Sequence, residues 1–324
     1  MFKRILVPLD GSATAERALP IALRLARVIN GTIVLLRVVN TNWPSQTTLT
    51  QQLPAAARFE AEKYLHELVK SGRFPQVSIE TLVSFGIEAP TILSTITTHQ
   101  IDLVVISGCE YSNINRWVVG SVVDKVAWHA EVPVMLLHHD EVALADPHLG
   151  PPRMLRILVP LNGSVDAEVA LNPAAELIAS LASPLSGTIH MMRVIKHGTS
   201  DEEVHLQQAN DYLQHTLERI RKGELAPAVT QYKITTTWSV TVDTDVTHSI
   251  ITTVEKAIDM GGYDIIAITT HGLASLSRWI RGGTTESVYR HVRQPLLIVQ
   301  PHPTSGEHEH KVHVYENNPS MSTT

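Results

Sequence analysis

The sequence predicts an α/β protein built from two repeated domains, each a five-stranded parallel sheet with helices on both faces. Three observations carry this. Residues 4–12 read RILVPLDGS and residues 156–164 read RILVPLNGS, eight of nine letters alike at an offset of 152. The repeat returns near the end of each half. There GSVVDKVAWHAEVPVMLL (120–137) aligns with GGTTESVYRHVRQPLLIV (282–299) at an offset of 162, which also pairs Asp102 with Asp264. A period this long is a whole domain rather than a solenoid repeat. Within each copy, short apolar runs alternate with amphipathic stretches, the pattern of parallel strands joined by crossover helices.

Residues 5–9 form a short, branched, apolar run suited to a strand buried on both faces. Asp10-Gly11-Ser12 is a turn, with Ser12 placed to cap a helix. Ala18, Leu19, Ala22, Leu23, Leu25, Ala26 and Ile29 give that helix its apolar stripe. Arg17, Arg24 and Arg27 take its wet side, and Gly31 stands at its C-terminal turn. Strands follow at 32–39, 77–83, 103–107 and 132–137, and helices near 54–71, 89–99 and 121–130. The second copy places strands near 156–161, 187–195, 231–240, 264–269 and 295–300. Its helices fall near 165–182, 202–222, 246–260 and 284–292.

The expected domains are 1–140 and 154–301, joined by a proline- and glycine-bearing linker at 141–153 and followed by a disordered polar tail at 302–324. An apolar terminal strand leaves an edge that must be covered. The strands at 132–137 and 295–300 are therefore expected to face each other across a pseudo-two-fold axis, making an intramolecular pseudo-dimer. A homodimer stays open besides.

Composition narrows the function classes. The 324 residues are 44% hydrophobic and 18% charged, with a net charge of −6, as in an ordinary soluble globular protein. That charge leaves no footprint for nucleic acid or an anionic membrane. No apolar run has spanning length, and the first one ends at Asp10, too early for a secretion signal. The single cysteine, Cys109, excludes an intrachain disulfide and a multi-cysteine zinc site. A cytoplasmic location is the expectation. The motifs of P-loop NTPases, dinucleotide folds, H-E-x-x-H zinc enzymes and G-x-S-x-G hydrolases are all missing. His271 has no partnered nucleophile by spacing, and His138 and His139 read as solvated linker residues. No catalytic or metal-ligating residue is assigned.

The stretch ITTHGLASLSRWIRGGTTESV (268–288) carries the most chemistry. It leaves a strand, crosses a loop at Gly272 and enters a helix through Gly282, Gly283, Thr284 and Thr285. A helix N-terminus offers backbone N–H groups and a positive dipole end to an anion, and glycine lets that backbone approach closely. Thr284 and Thr285 add hydroxyls, and Arg278 or Arg281 adds charge. The same glycines equally suit a tight turn and a helix start.

ILVPLDGS, the strands ending LLRVV and MMRVI, and THG…SRWIRGGT before a final strand resemble the universal stress protein family over about 1–140 and 154–300. The resemblance implies a Rossmann-like fold and an adenine nucleotide, ATP or a relative, with Mg²⁺ open through its phosphates. It also implies a glycine pattern G-2x-G-9x-G-[S/T] around the phosphates and an aspartate near the adenosine. In the second half these positions fall on Thr269, Gly272, Gly282, Gly283 and Thr284, with Asn162 at the aspartate position and Val194 beside adenine. In the first half Asp10, Val38, Gly120 and Ser121 match, but Ser107 and Glu110 replace glycines. Glu110 sets a carboxylate where phosphate would lie, so the first site is expected to be weaker or empty. The implied function is a nucleotide-binding regulatory module of the stress response, binding mainly in the C-terminal domain. Slow ATP hydrolysis in the same cleft and a nucleotide-free interaction protein are the alternatives.

Overall fold

A computed structural model describes residues 2–40, 53–111, 117–138, 154–182, 187–198, 201–256, 262–270, 288 and 291–301. The first half runs β1 (Arg4–Leu9), α1 (Ala13–Glu16), α2 (Ala18–Ile29), β2 (Thr32–Val39), α3 (Leu53–Lys70), β3 (Ser78–Phe85), α4 (Glu88–Thr98) and β4 (Leu103–Ser107). A small hairpin, β5 (Cys109–Tyr111) and β6 (Trp117–Val119), precedes α5 (Ser121–His129) and β7 (Val134–Leu137). The second half runs β8 (Leu155–Pro160), α6 (Val165–Glu168), α7 (Leu171–Ala182), β9 (Gly187–Lys196), α8 (Glu202–Arg221), α9 (Pro227–Gln231), β10 (Thr235–Asp243), α10 (Val246–Lys256), β11 (Ile265–Thr269) and β12 (Leu296–Val299).

All strands but β5 and β6 form one ten-stranded sheet in the order β10-β9-β8-β11-β12-β7-β4-β1-β2-β3. Within each half all pairings in this sheet are parallel. The halves meet where β12 pairs antiparallel with β7, Leu296 opposite Leu136 and Ile298 opposite Val134. An antiparallel join is what a two-fold relation between two parallel sheets requires. The edges expected to face each other do so. Each face of the sheet carries a core that runs through the seam. Ile5, Leu25 and Met135 share one face with Ile157, Leu177 and Leu297. Leu6, Val104 and Leu136 share the other with Leu158, Ile266 and Ile298. Each half anchors its first strand in the same way. The Asp102 carboxylate accepts from the backbone N–H groups of Lys3 (2.6 Å) and Arg4 (3.0 Å), and Asp264 accepts from Arg156 N–H (2.8 Å).

Several expectations need correcting. The first helix of each half is two helices. Pro20 has no N–H for the Glu16 carbonyl and Pro173 none for that of Val169, and each ring crowds that carbonyl, so the helix restarts after a turn. Asn30, not Gly31, takes the left-handed position ending α2, at φ 50°. Gly31 is required instead by close approach, because a Cβ there would lie 2.8 Å from the Lys3 carbonyl oxygen. Arg24 is not on a wet face. It is partly buried between the halves and donates to the Leu181 carbonyl. His138 is fully buried, because it directly continues the wholly buried β7. The strand expected from 231 begins at Thr235, since α9 occupies Pro227–Gln231. The linker at 141–153 and the tail at 302–324 lie outside the described residues.

Candidate functional site

Strand β1 lies between β2 and β4, so the chain leaves it first to one side and later to the other. Ligands in open α/β sheets sit at such a reversal, beyond the strand C-termini. A cleft of about 820 Å³ opens there in the first half, among Asp10, Val38, Ser107, Gly108, Gly120 and Ser121. The fold therefore gathers all four residues expected of the first site and adds Ser107 and Gly108.

Asp10 is fixed by the turn it makes, its Oδ1 accepting from Ser12 N–H at 2.8 Å. Burial works against its charge, but hydrogen bonding from Ser12 and the nearby Arg37 guanidinium outweigh burial and hold the carboxyl below its usual range. The turn needs Gly11 at φ +85°. Ser12 caps α1 by accepting from Ala15 N–H at 3.1 Å. At the other end of the cleft Gly120 is the N-cap of α5, and its N–H donates to the Gly108 carbonyl at 3.2 Å. A Cβ on Gly108 would lie 2.5 Å from Val123 Cγ2, so only glycine lets β4 pass this close to α5. The aligned glycine position points to residue 110, whereas the glycine that meets α5 is 108. The Glu110 backbone lies in the hairpin opposite Val118, and its side chain is outside the described residues.

The second half repeats the construction. Asn162 Oδ1 accepts from Ser164 N–H (2.9 Å) and Ser164 Oγ (2.7 Å), so asparagine keeps the turn without the charge. Gly163 at φ +92° lies against Arg193, where a Cβ would be 2.9 Å from Nη1. The described part of this cleft, about 280 Å³, is lined by Asn162, Arg193, Val194, Lys196, His205 and Gln208 among others. Thr269 ends β11 and is buried. Gly272, Gly282, Gly283 and Thr284, with His271, Arg278, Arg281 and Thr285, lie outside the described residues.

A matching polar group stands behind each cleft. Glu16 accepts from Tyr64 Oη (3.0 Å) and Arg73 (2.7 Å), and Glu168 accepts from Arg219 (2.9 Å) near Tyr212. Burial and the adjacent carboxylate push both phenols well above their ordinary range. Arg37 donates to the Leu9 carbonyl at 3.3 Å, while Arg193 lies 5.0 Å from the Tyr212 ring centre.

The walls can be compared position by position, since Ala61, Tyr64 and Leu65 of α3 recur as Ala209, Tyr212 and Leu213 of α8. The apolar wall is kept: Leu36 becomes Met192, Val38 recurs as Val194, and Ile92 recurs as Ile250. The charges are not. Asp10, Glu60 and Glu88 become Asn162, Gln208 and Val246, Asn40 becomes Lys196, and the arginine stays as Arg37 and Arg193. These shared wall positions sum to −2 in the first cleft and +2 in the second. No motif marks this inversion, because the carboxylates come from separate elements. Among the described residues, no group of three or more His, Cys, Asp or Glu could hold a metal, and no helix is long and apolar enough to cross a membrane.

The fold and its two strand-end clefts define the class as a tandem α/β protein of two like domains. The sequence profile of the universal stress protein family matches residues 1–138 and 154–300, and this chain belongs to that family. Universal stress protein Rv2005c of Mycobacterium tuberculosis is 22% identical over 311 residues, covering 91% of this chain and 96% of the relative. A universal stress protein structure from Archaeoglobus fulgidus covers 92% of this chain and 98% of its own, with a TM-score of 0.64 at 18% identity. Protein PA1789 of Pseudomonas aeruginosa, described as functionally unknown, covers 93% of each chain with a TM-score of 0.56 at 17% identity. These two likenesses establish the fold.

Proposed function

We propose that this tandem universal stress protein binds an adenine nucleotide, ATP or a relative, mainly in its C-terminal domain, and serves as a regulatory module. One observation carries the choice of cleft. The wall of the second cleft bears Arg193 and Lys196 and, among the described residues, no carboxylate, so it favours a polyphosphate. The equivalent wall of the first cleft carries Glu60 and Glu88, which repel one. The sequence pattern expects Gly282 and Gly283 at a helix start, whose backbone N–H groups would meet phosphate. Mg²⁺ would arrive with the phosphates.

Mass spectrometry of the denatured, purified protein, followed by calorimetric titration of stripped protein with ATP, tests this reading. The expected result is adenine nucleotide released from the purified protein and one ATP bound per chain on titration. Absence of both released nucleotide and ATP binding would overturn it.

A further inference from the structure

A third pocket, of about 360 Å³, lies on the boundary between the halves, apart from both strand-end clefts. Glu131 and Pro133 come to it from the first half and the rest of its wall from the second. It shares no lining residue with the second cleft. Val299 in its lining belongs to the core face of Leu177 and Leu297, whereas Met192 and Ile250 of that cleft belong to the other face of the sheet. Pockets of this size at domain boundaries suit small ligands.

Its side chains say what would fit. Asn172 lines the pocket, and its buried Oδ1 has no hydrogen-bond partner among the described residues. The amide nitrogen is taken by Glu176, one turn along α7, at 3.4 Å. A buried acceptor left alone is costly, and this one calls for an N–H or O–H donor. Glu131, Glu168 and Glu224 face a single cation, Arg219, which leaves the wall at −2. That cation is already engaged, 2.9 Å from Glu168 and 3.8 Å from Glu224, so an anion gains little here. Val165, Val169, Pro173, Leu225 and Pro133 add an aliphatic surface, and Val165 is 73% exposed. The repeat does not carry this combination. At the positions it pairs with Val169, Asn172 and Glu131 stand Arg17, Pro20 and Arg293, so the counterpart boundary lacks the acceptor and reverses the charge.

We infer that this boundary pocket is a binding site for an aliphatic diamine. An ammonium brings three N–H donors, one of them for Asn172 Oδ1, and two ammoniums match the charge of the wall. The methylene stem covers the valines, prolines and Leu225, as a lysine stem covers apolar surface. The ligand would join the halves, since Glu131 and Asn172 belong to different ones. The inference is independent of what either strand-end cleft binds.

The test titrates the full chain with cadaverine by calorimetry at low ionic strength, with pentylamine and pentanediol as matched probes of one charge and none. Cadaverine should bind at one site per chain and more tightly than pentylamine, and pentanediol should show no binding. Glu131→Gln and Asn172→Leu should each weaken cadaverine binding about threefold to tenfold. Glu131 is exposed, so its substitution tests the site even where Asn172→Leu disturbs α7. Glu203→Gln, which removes an exposed carboxylate of α8 outside the pocket, should leave binding unchanged. The inference is overturned if cadaverine does not bind or if pentanediol binds as tightly. It is equally overturned if either pocket variant, once folded, binds as the unaltered chain does, or if Glu203→Gln weakens binding as much as they do.

Discussion

Leu297 of β12 and Met135 of β7 are antiparallel register partners, and neither has exposed surface. They stand at the point where two domain sheets become one. Arg24 reaching the Leu181 carbonyl and the Gln300 amide reaching the Trp128 carbonyl tie the same boundary outside the sheet. With the core continuous on both faces, neither half can unfold without exposing apolar surface of the other.

Leu297→Ala should therefore destabilise the whole chain. Truncating a buried leucine costs about 2–5 kcal/mol. Urea unfolding followed by circular dichroism should keep one cooperative transition, shifted to lower denaturant. Two separated transitions, with only one of them moved, would show that the halves unfold independently.

Lys196→Glu should weaken ATP binding about tenfold to a hundredfold, because it replaces an attraction in the second cleft with a repulsion. Lys196 is exposed, so the loss should shrink as salt rises. Titrations at two ionic strengths check this. An unchanged affinity at low salt would mean that wall charge does not select the nucleotide.

Much of the fold was legible because its strands are continuous branched runs. The strands at 32–39 and 103–107 match β2 and β4 in full, since β4 is wholly buried and β2 is branched and apolar but for Thr32 and Arg37. The seam was legible for the same reason, as two apolar terminal edges demanded partners. The breaks before Pro20 and Pro173 were missed because the apolar stripe runs on past them, and periodicity does not register a lost backbone donor. His138 looked like linker because it follows the last apolar residue of β7, while its burial comes from the packing around that strand end. In the cleft, the turn at Asp10 and the helix start at Gly120 were readable as contiguous motifs. Glu60 and Glu88 were not, because α3 and α4 bring them to one wall from distant parts of the sequence. Ser107 was legible only as a departure from a glycine pattern.

Gly282→Val should abolish ATP binding, since a branched side chain would occupy space that phosphate oxygens need beside the backbone. Gly120→Val should leave ATP binding unchanged, because Gly120 serves the other cleft. The backbone at Gly120, φ −63° and ψ 143°, accepts any residue, and its Cβ would be 3.4 Å from the Gly108 carbonyl. The variant should therefore fold normally. Equal loss of ATP binding in both variants would contradict the division of labour between the clefts.

The last prediction concerns acid. His190 lies in β9 with Nδ1 2.8 Å from Thr237 Oγ1 and Nε2 2.9 Å from Ser239 Oγ, both on the neighbouring β10. The Tyr263 ring is 5.8 Å away, and the Arg156 guanidinium lies 4.6 Å from the centre of that ring. Burial, and secondarily the Arg156 charge, push the imidazole down to about 4. In the unfolded chain the same group takes its proton near 6.5. Between those values the unfolded state binds more protons than the folded one, so stability falls as pH falls from about 6.5 to 4. The loss is complete below the folded value. Allowing for partial solvent exposure, it amounts to about 1–3 kcal/mol. Asp10 and Glu80 act in a lower window, because hydrogen bonding and nearby arginine charge hold their carboxyls below the ordinary carboxylate range. His190→Gln keeps hydrogen-bonding capacity toward Thr237 and Ser239 but cannot titrate. Urea midpoints measured from pH 7 to pH 4.5 should therefore drop for the unaltered chain and stay flatter for His190→Gln. Parallel curves for the two proteins would show that His190 does not set the acid limit.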